Sequence, residues 1–207
     1  MNDHPVTLHV YDDLRRSRLT IFFRPLLCFP HFFWLYLWSL AVAIVFVPSY
    51  LVAFIVGRPA HSFQRFFCAY LRYLMAVLAY LLIIANPFPG FLGQRGKYPV
   101  ELELPAEAEK QHRLSILLRI PLAAPAYVVA LIGVYAAVYP AALLAWLVAL
   151  ILGRTPRGFR DLGANTLRYL GQLLAYLLLA TGAYPCASPY VGISLAASVP
   201  TEVRAKT

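Results

Sequence analysis

Long apolar blocks separated by short polar turns dominate the chain, and four of them have the length of a bilayer crossing: residues 31–56, 63–85, 126–152 and 159–181. At 1.5 Å per residue each would extend roughly 34 to 40 Å as a helix, enough for a hydrocarbon core of about 30 Å with some tilt. The turns at 57–62 and 153–158 are so short that each pair of blocks must form an antiparallel hairpin. Ahead of the blocks, VTLHVY at 6–11 and VELEL at 100–104 alternate apolar and polar residues, the period of a half-buried strand.

The pattern repeats. A shift of 96 residues lays Gly57-Arg58 on Gly153-Arg154, Leu71-Arg72-Tyr73-Leu74 on Leu167-Arg168-Tyr169-Leu170, and Ala79-Tyr80-Leu81-Leu82 on Ala175-Tyr176-Leu177-Leu178. One residue of slippage upstream aligns RLTIFFR at 18–24 with RLSILLR at 113–119, and Pro30 with Pro125. This internal repeat divides the chain into a first half at 1–93, a second at 94–190 and a tail at 191–207. Each half reads as a strand, an amphipathic segment with a basic residue at each end, a proline, and a hairpin. The RL[ST]IxxR segment suits a helix lying in the headgroup layer, with Pro30 and Pro125 marking the bend into the membrane. The alternative is that it extends the first spanning helix.

The expected fold is therefore an all-α integral membrane protein of two tandem, parallel helical hairpins, with four transmembrane helices, interfacial amphipathic segments and a small β element on the terminal side. Because each half crosses twice, both should begin on one face, related by a pseudo-two-fold axis along the membrane normal. The third apolar block is rich in alanine, including Ala126, Ala130 and Ala145, where the first carries HFFWLYLW at 31–38. Small residues allow close helix approach, so the third helix is expected at the centre and the first at the periphery, with Trp34, Tyr36 and Trp38 in an interfacial belt.

Composition fits this reading: of 207 residues, 61% are hydrophobic and 13% charged, about half the charge of a soluble domain. The net charge of +9 could point to nucleic acid, but the arginines gather at block edges rather than along one polar face, so no nucleic-acid partner is expected. Arg18, Arg24, Arg58, Arg113, Arg119, Arg154, Arg157 and Arg160 are read as turn and headgroup contacts, with anionic membrane lipids as the expected partner and a homo-oligomer or a membrane protein as further ones. Eleven of the basic residues lie on the terminal side against seven on the turn side, which expects both termini in the cytoplasm, in a bacterial inner membrane. The acidic start, MNDHPVTLHVYDD, lacks the form of a cleavable signal peptide.

The turn Gly153-Arg154-x-Pro156-Arg157-Gly158-Phe159, the internal Arg168 and the Tyr184-Pro185 pair resemble an uncharacterised bacterial membrane family known only as a domain of unknown function. The first half departs from that pattern at Ala60, His61, Ser62 and Phe88. The resemblance implies the repeated membrane fold and carries no activity.

The search for chemistry returns little. Cys28, Cys68 and Cys186 form no CxxC pair and read as small apolar fillers; no metal or cofactor is expected. No HExxH, GxSxG or GxxxxGK[ST] occurs, so no catalytic residue and no enzymatic function is expected. His31 and His61 are read as solvated or interfacial. One feature stands out: Asp161, Asn165, Arg168 and Gln172 share one helical face, and Arg65 and Arg72 occupy matching positions in the other half. Such a stripe should face protein or water, and Asp161 is expected to pair with Arg65 or Arg72 across the repeat. The leading expectation is a non-enzymatic scaffold or accessory subunit; the other is a small oligomeric carrier or lipid-handling protein with the stripe as its polar path.

Overall fold

The computed structural model describes residues 4–12, 14, 16–107, 109–188 and 191–196. In chain order the elements are β1 (Thr7–Tyr11), α1 (Arg18–Val56), α2 (His61–Leu81), β2 (Val100–Glu103), α3 (Arg113–Leu117), α4 (Arg119–Ile132), a π-helical stretch (Gly133–Val138), α5 (Tyr139–Leu152), α6 (Arg157–Leu177) and β3 (Ile193–Ala196). The molecule is mostly helical with one small sheet. Among the described residues, two helices are long and apolar enough to cross a membrane, α1 and the continuous run Arg119–Leu152.

Both alternating segments form strands, and they pair with each other. β1 runs antiparallel to β2, Leu8 opposite Leu102 and Val10 opposite Val100. The third strand lies within the stretch read as a tail: β3 joins β1 in parallel, giving the order β2-β1-β3. Residues 197–207 lie outside the described ones. The inward side chains Val6, Leu8, Val10, Val100, Leu102 and Leu104 are buried against α2 and α6, while His9, Glu101 and Glu103 project from the outer face.

The sheet rests on α2 and α6, and these in turn carry α1 and the α4–α5 run. This layering changes which helices are central. Both α2 and α6 bury about half of their residues, whereas α1 and α4–α5 leave most of theirs exposed. The alanine-rich third block is therefore as peripheral as the first. Its alanines still serve close packing, with Ala123, Ala126 and Ala130 set against Tyr169, Leu173 and Tyr176 of α6. The buried residues of α1, among them Ile21, Arg24, Cys28, His31 and Leu35, recur at steps of three and four, a single stripe on an otherwise apolar exterior.

The prolines do not bend the chain as their positions imply. RLTIFFR forms the first turns of α1, and the helix continues through Pro25, Pro30 and Pro48. In the second half the equivalent segment is the short α3, which ends at Leu117, and Pro125 sits inside α4. A proline in a helix leaves the carbonyl four residues back without a donor. Pro25 frees Ile21 in this way, and the indole of Trp146 donates to that carbonyl at 3.0 Å. Pro121 frees Leu117, and the Tyr50 hydroxyl, the counterpart of Trp146, donates to the carbonyls of Ile116 and Leu117. Before Pro140 the helix widens into the π-helical stretch, which keeps the pyrrolidine ring off the Ala136 carbonyl.

The two halves are related by a pseudo-two-fold, but not in the sense expected. The segment leading into each half meets the turn of the other: Arg16 N–H donates to Gly153 O at 2.9 Å, and Gln111 N–H to Gly57 O at 2.8 Å. Thus α1 and α4–α5 lie antiparallel with their ends together, and the axis runs across the helices. The halves do not begin on one face with their turns on the opposite one.

Candidate functional site

Each hairpin ends its long helix on a glycine in the left-handed region, Gly57 at φ 86° and Gly153 at φ 68°. The glycine N–H closes the helix on Ala53 O at 2.7 Å and on Ala149 O at 2.8 Å, respectively. A side chain would be strained in that conformation, which accounts for the Gly-Arg pair in both copies. The turns leave Arg58, Arg154 and Arg157 exposed beside the helix ends, with Arg18 and Arg113 exposed at the opposite helices' starts. Arg113 also donates to Ile55 O at 3.1 Å, at the C-terminal end of α1. Arg160 is bound to Asp161 at 2.8 Å.

Arg24 and Arg119 stand apart from these headgroup candidates. Each is 1% exposed and sits where α2 or α6 ends. The Arg24 guanidinium donates to Tyr80 O at 2.7 Å, Ala85 O at 3.1 Å and Asn86 Oδ1 at 3.2 Å, and lies 4.3 Å from the Tyr80 ring centre. Arg119 donates to Tyr176 O and Gln111 Oε1, and lies 4.4 Å from the Tyr176 ring. The reason is geometric: three residues after Tyr80 and Tyr176 the chain reverses through Ile83 at φ 60° and Leu179 at φ 63°. A left-handed non-glycine residue is costly, and the guanidinium adds a charged donor to a carbonyl at the negative end of the helix dipole. Arg16, held by Asp12 at 2.6 Å, adds donors to Ile83 O and Ile84 O.

The polar stripe separates into two parts. Its inner members hold backbone. Gln172 donates to Val6 O at 3.1 Å and accepts from Cys186 N–H at 3.0 Å, while Arg168 binds Val191 O. Together they pin the N-terminal strand and the segment after α6 to the helix. Its outer members face the surface. Asn165 donates to Asp161 O at 3.0 Å, and Asp161 pairs with its neighbour Arg160 rather than with Arg65 or Arg72. Arg65 is exposed, and Arg72 lines a pocket of about 570 Å³ with Lys97, Tyr98 and Glu101. The expected pair across the repeat is not formed, because α2 and α6 meet near their middles, Gly171 against Met75, leaving Asp161 beyond the contact with Ile84 at Gly163.

His31 is fully buried rather than interfacial, its Nδ1 2.7 Å from the Tyr73 hydroxyl and its ring against Phe88 and Phe91. His61 is exposed. Trp34 is partly exposed and donates to Phe91 O at 3.0 Å, and Trp38 stacks on Tyr73, so of the expected belt only Tyr36 is well exposed. The cysteines are free, Cys28 and Cys68 buried, and no group of metal-ligating side chains occurs among the described residues. His4, which sequence inspection passed over, lies buried between Val6 and Tyr184 O, and burial, with Arg168 nearby, lowers its pKa below the ordinary 6.5.

Residues 18–92 and 113–188 each match one family model, described as a domain of unknown function (DUF4389). No curated protein and no solved structure matches the chain.

Proposed function

The chain belongs to the DUF4389 family, whose description assigns no activity, and from that premise we propose that it is a non-enzymatic membrane scaffold or accessory subunit that holds anionic lipid. Its two long helices lie in the plane of one leaflet. The observation that carries this reading is the position of the sheet. β1–β3 cover the α2–α6 layer on the side away from α1 and α4–α5, with His9, Glu101 and Glu103 outward and, among the described residues, no further strand on the edges of β2 and β3. If α2 and α6 crossed the bilayer, this sheet would lie alongside them in hydrocarbon, where open strand edges do not occur. Laying the helices flat removes the conflict and places the sheet in water.

Length and charge support the same placement. α1, at 39 residues, is about 58 Å long and the 34-residue α4–α5 run about 51 Å, both well beyond a hydrocarbon thickness of about 30 Å. The exposed arginines cluster at both ends of these helices, as expected for the anionic cytoplasmic leaflet. The stripe of α6 is engaged with backbone, which weighs against its use as a polar path.

The test is side-specific labelling on a cysteine-free background. Single cysteines at Ser62, Gly158 and Lys97 should all react with an impermeant maleimide from the same side of oriented vesicles. Reaction of Ser62 and Gly158 from opposite sides would reject the in-plane placement. Failure of the full chain to float with phosphatidylglycerol-containing vesicles would reject the membrane reading as a whole.

A further inference from the structure

The two turns are pseudo-equivalent but differ in chemistry. Each opens a cleft at the start of the helix that follows. In the first half the cleft is lined by Arg58, Pro59, Ala60, His61 and Glu107; in the second by Leu14, Arg154, Thr155, Pro156 and Arg157. We infer that the second-half cleft binds a phosphate group through Arg154, Arg157, the Thr155 hydroxyl and the first N–H groups of α6.

Three independent features meet there. Thr155 is 2% exposed and its buried Oγ1 has no hydrogen-bond partner, although the residue lines an open cleft. A buried hydroxyl left unsatisfied is uncommon and calls for a partner. Next, α6 is a 21-residue helix with Pro156 as its N-cap, no side-chain cap and no acid in its first turn. Phe159 and Arg160 N–H donate to Pro156 O, which leaves the N–H groups of Arg157 and Gly158 at the positive end of the helix dipole, the arrangement that favours anions. A methyl group added at Gly158 would meet nothing within 4 Å, so the space beside that turn is open. Finally, Arg154 and Arg157 are exposed on the cleft wall, no carboxylate among the described residues lines it, and the nearest acid on the helix, Asp161, is held by Arg160 at 2.8 Å.

The first half provides an internal comparison. There Pro59 stands in place of Thr155 and His61 in place of Arg157, and Glu107 adds an acid to the wall. It has lost the hydroxyl and one cation, and a phosphate would face a carboxylate. The inference rests on the membrane reading only for the source of the phosphate, since a lipid headgroup and a soluble phosphate present the same atoms.

Two measurements on the full chain separate these sources. One is native mass spectrometry after extraction from phosphatidylcholine vesicles containing phosphatidylglycerol; the other is calorimetric titration of the detergent-solubilised chain with inorganic phosphate. In whichever arm the wild type binds, Thr155→Val and Arg157→Gln should each weaken binding about tenfold, the effect of losing one hydrogen bond to a charged group. Thr155→Ser should retain it, and Lys97→Gln should change it by less than about twofold, as for an exposed charge outside the site. Retained phosphatidylglycerol without inorganic phosphate binding identifies a lipid headgroup; the converse identifies a soluble phosphate. The site is overturned if the wild type binds neither, if Thr155→Val is silent, or if Lys97→Gln weakens binding as much as Arg157→Gln. Loss of flotation alone would reject the membrane reading and leave the calorimetric arm intact.

Discussion

At the scale of single residues, the buried arginines at the ends of α2 and α6 explain how the chain tolerates bulky side chains in a left-handed conformation. A lone guanidinium in an apolar interior is costly unless its donors are used. Arg24 and Arg119 reach the carbonyls exposed where Ile83 and Leu179 turn the chain. Truncating Arg24 to Met or Arg119 to Met should therefore destabilise the fold by about 2–3 kcal/mol each, since buried acceptors lose charged donors. Chemical denaturation in detergent measures this, and a loss equal to that of an exposed control such as Arg58→Met would contradict it. His4 supplies a pH dependence. Burial lowers its folded-state pKa below the unfolded 6.5, so the unfolded chain binds the extra proton more readily. Its contribution is present above pH 6.5 and is lost as the pH falls through the lower folded value. Thermal stability should drop on acidification from pH 7.5 to 5, and His4→Gln should flatten that part of the profile.

At the scale of elements, each broken helix is repaired by an aromatic residue from the other half. Trp146→Phe removes the only donor shown for the carbonyl that Pro25 leaves open and should cost about 1–2 kcal/mol. Adding Pro25→Ala should recover most of that loss, because the new N–H closes the turn on Ile21. Measured unfolding of the two single variants and the double variant decides it, and additive losses would count against the repair. The strands and the repeat were legible in the sequence because strict alternation and the recurrence of RL[ST]IxxR, Gly-Arg and Ala-Tyr-Leu-Leu are local patterns. The roles of the prolines and of Arg24 and Arg119 were not, since each depends on a hydrogen bond between residues more than fifty positions apart. α2 and α6 have the length of spanning helices; what distinguishes them from α1 and α4–α5 is their amphipathic period, which turns Arg168 and Gln172 toward the strand and the segment after α6.

At the scale of the whole molecule, the exposed surface divides into an apolar side made by α1 and α4–α5 and a polar sheet face. Arg18 and Arg113 sit at the starts of α1 and α3, close to the turns of the opposite halves. Reversing both to Glu should weaken partition onto phosphatidylglycerol vesicles at least about tenfold, at roughly 1 kcal/mol per basic residue, while partition onto neutral vesicles stays nearly constant. Equal loss on both vesicle types would mean that the variant acts on the fold and not on the surface.

The crossing of each lead-in segment onto the opposite turn also imposes an order on synthesis. The carbonyl of Gly57 receives its donor from Gln111, and the backbone N–H of Arg16 donates to Gly153 O. A ribosome must therefore release residues through Gly153 before the first-made half can close, leaving its apolar helix uncovered until then. The same interlock describes an ancestor: a single repeat, unable to satisfy its own turn, would have been completed by a second copy of itself, and fusion of the two genes would have converted a homodimer into the present chain with both crossings preserved.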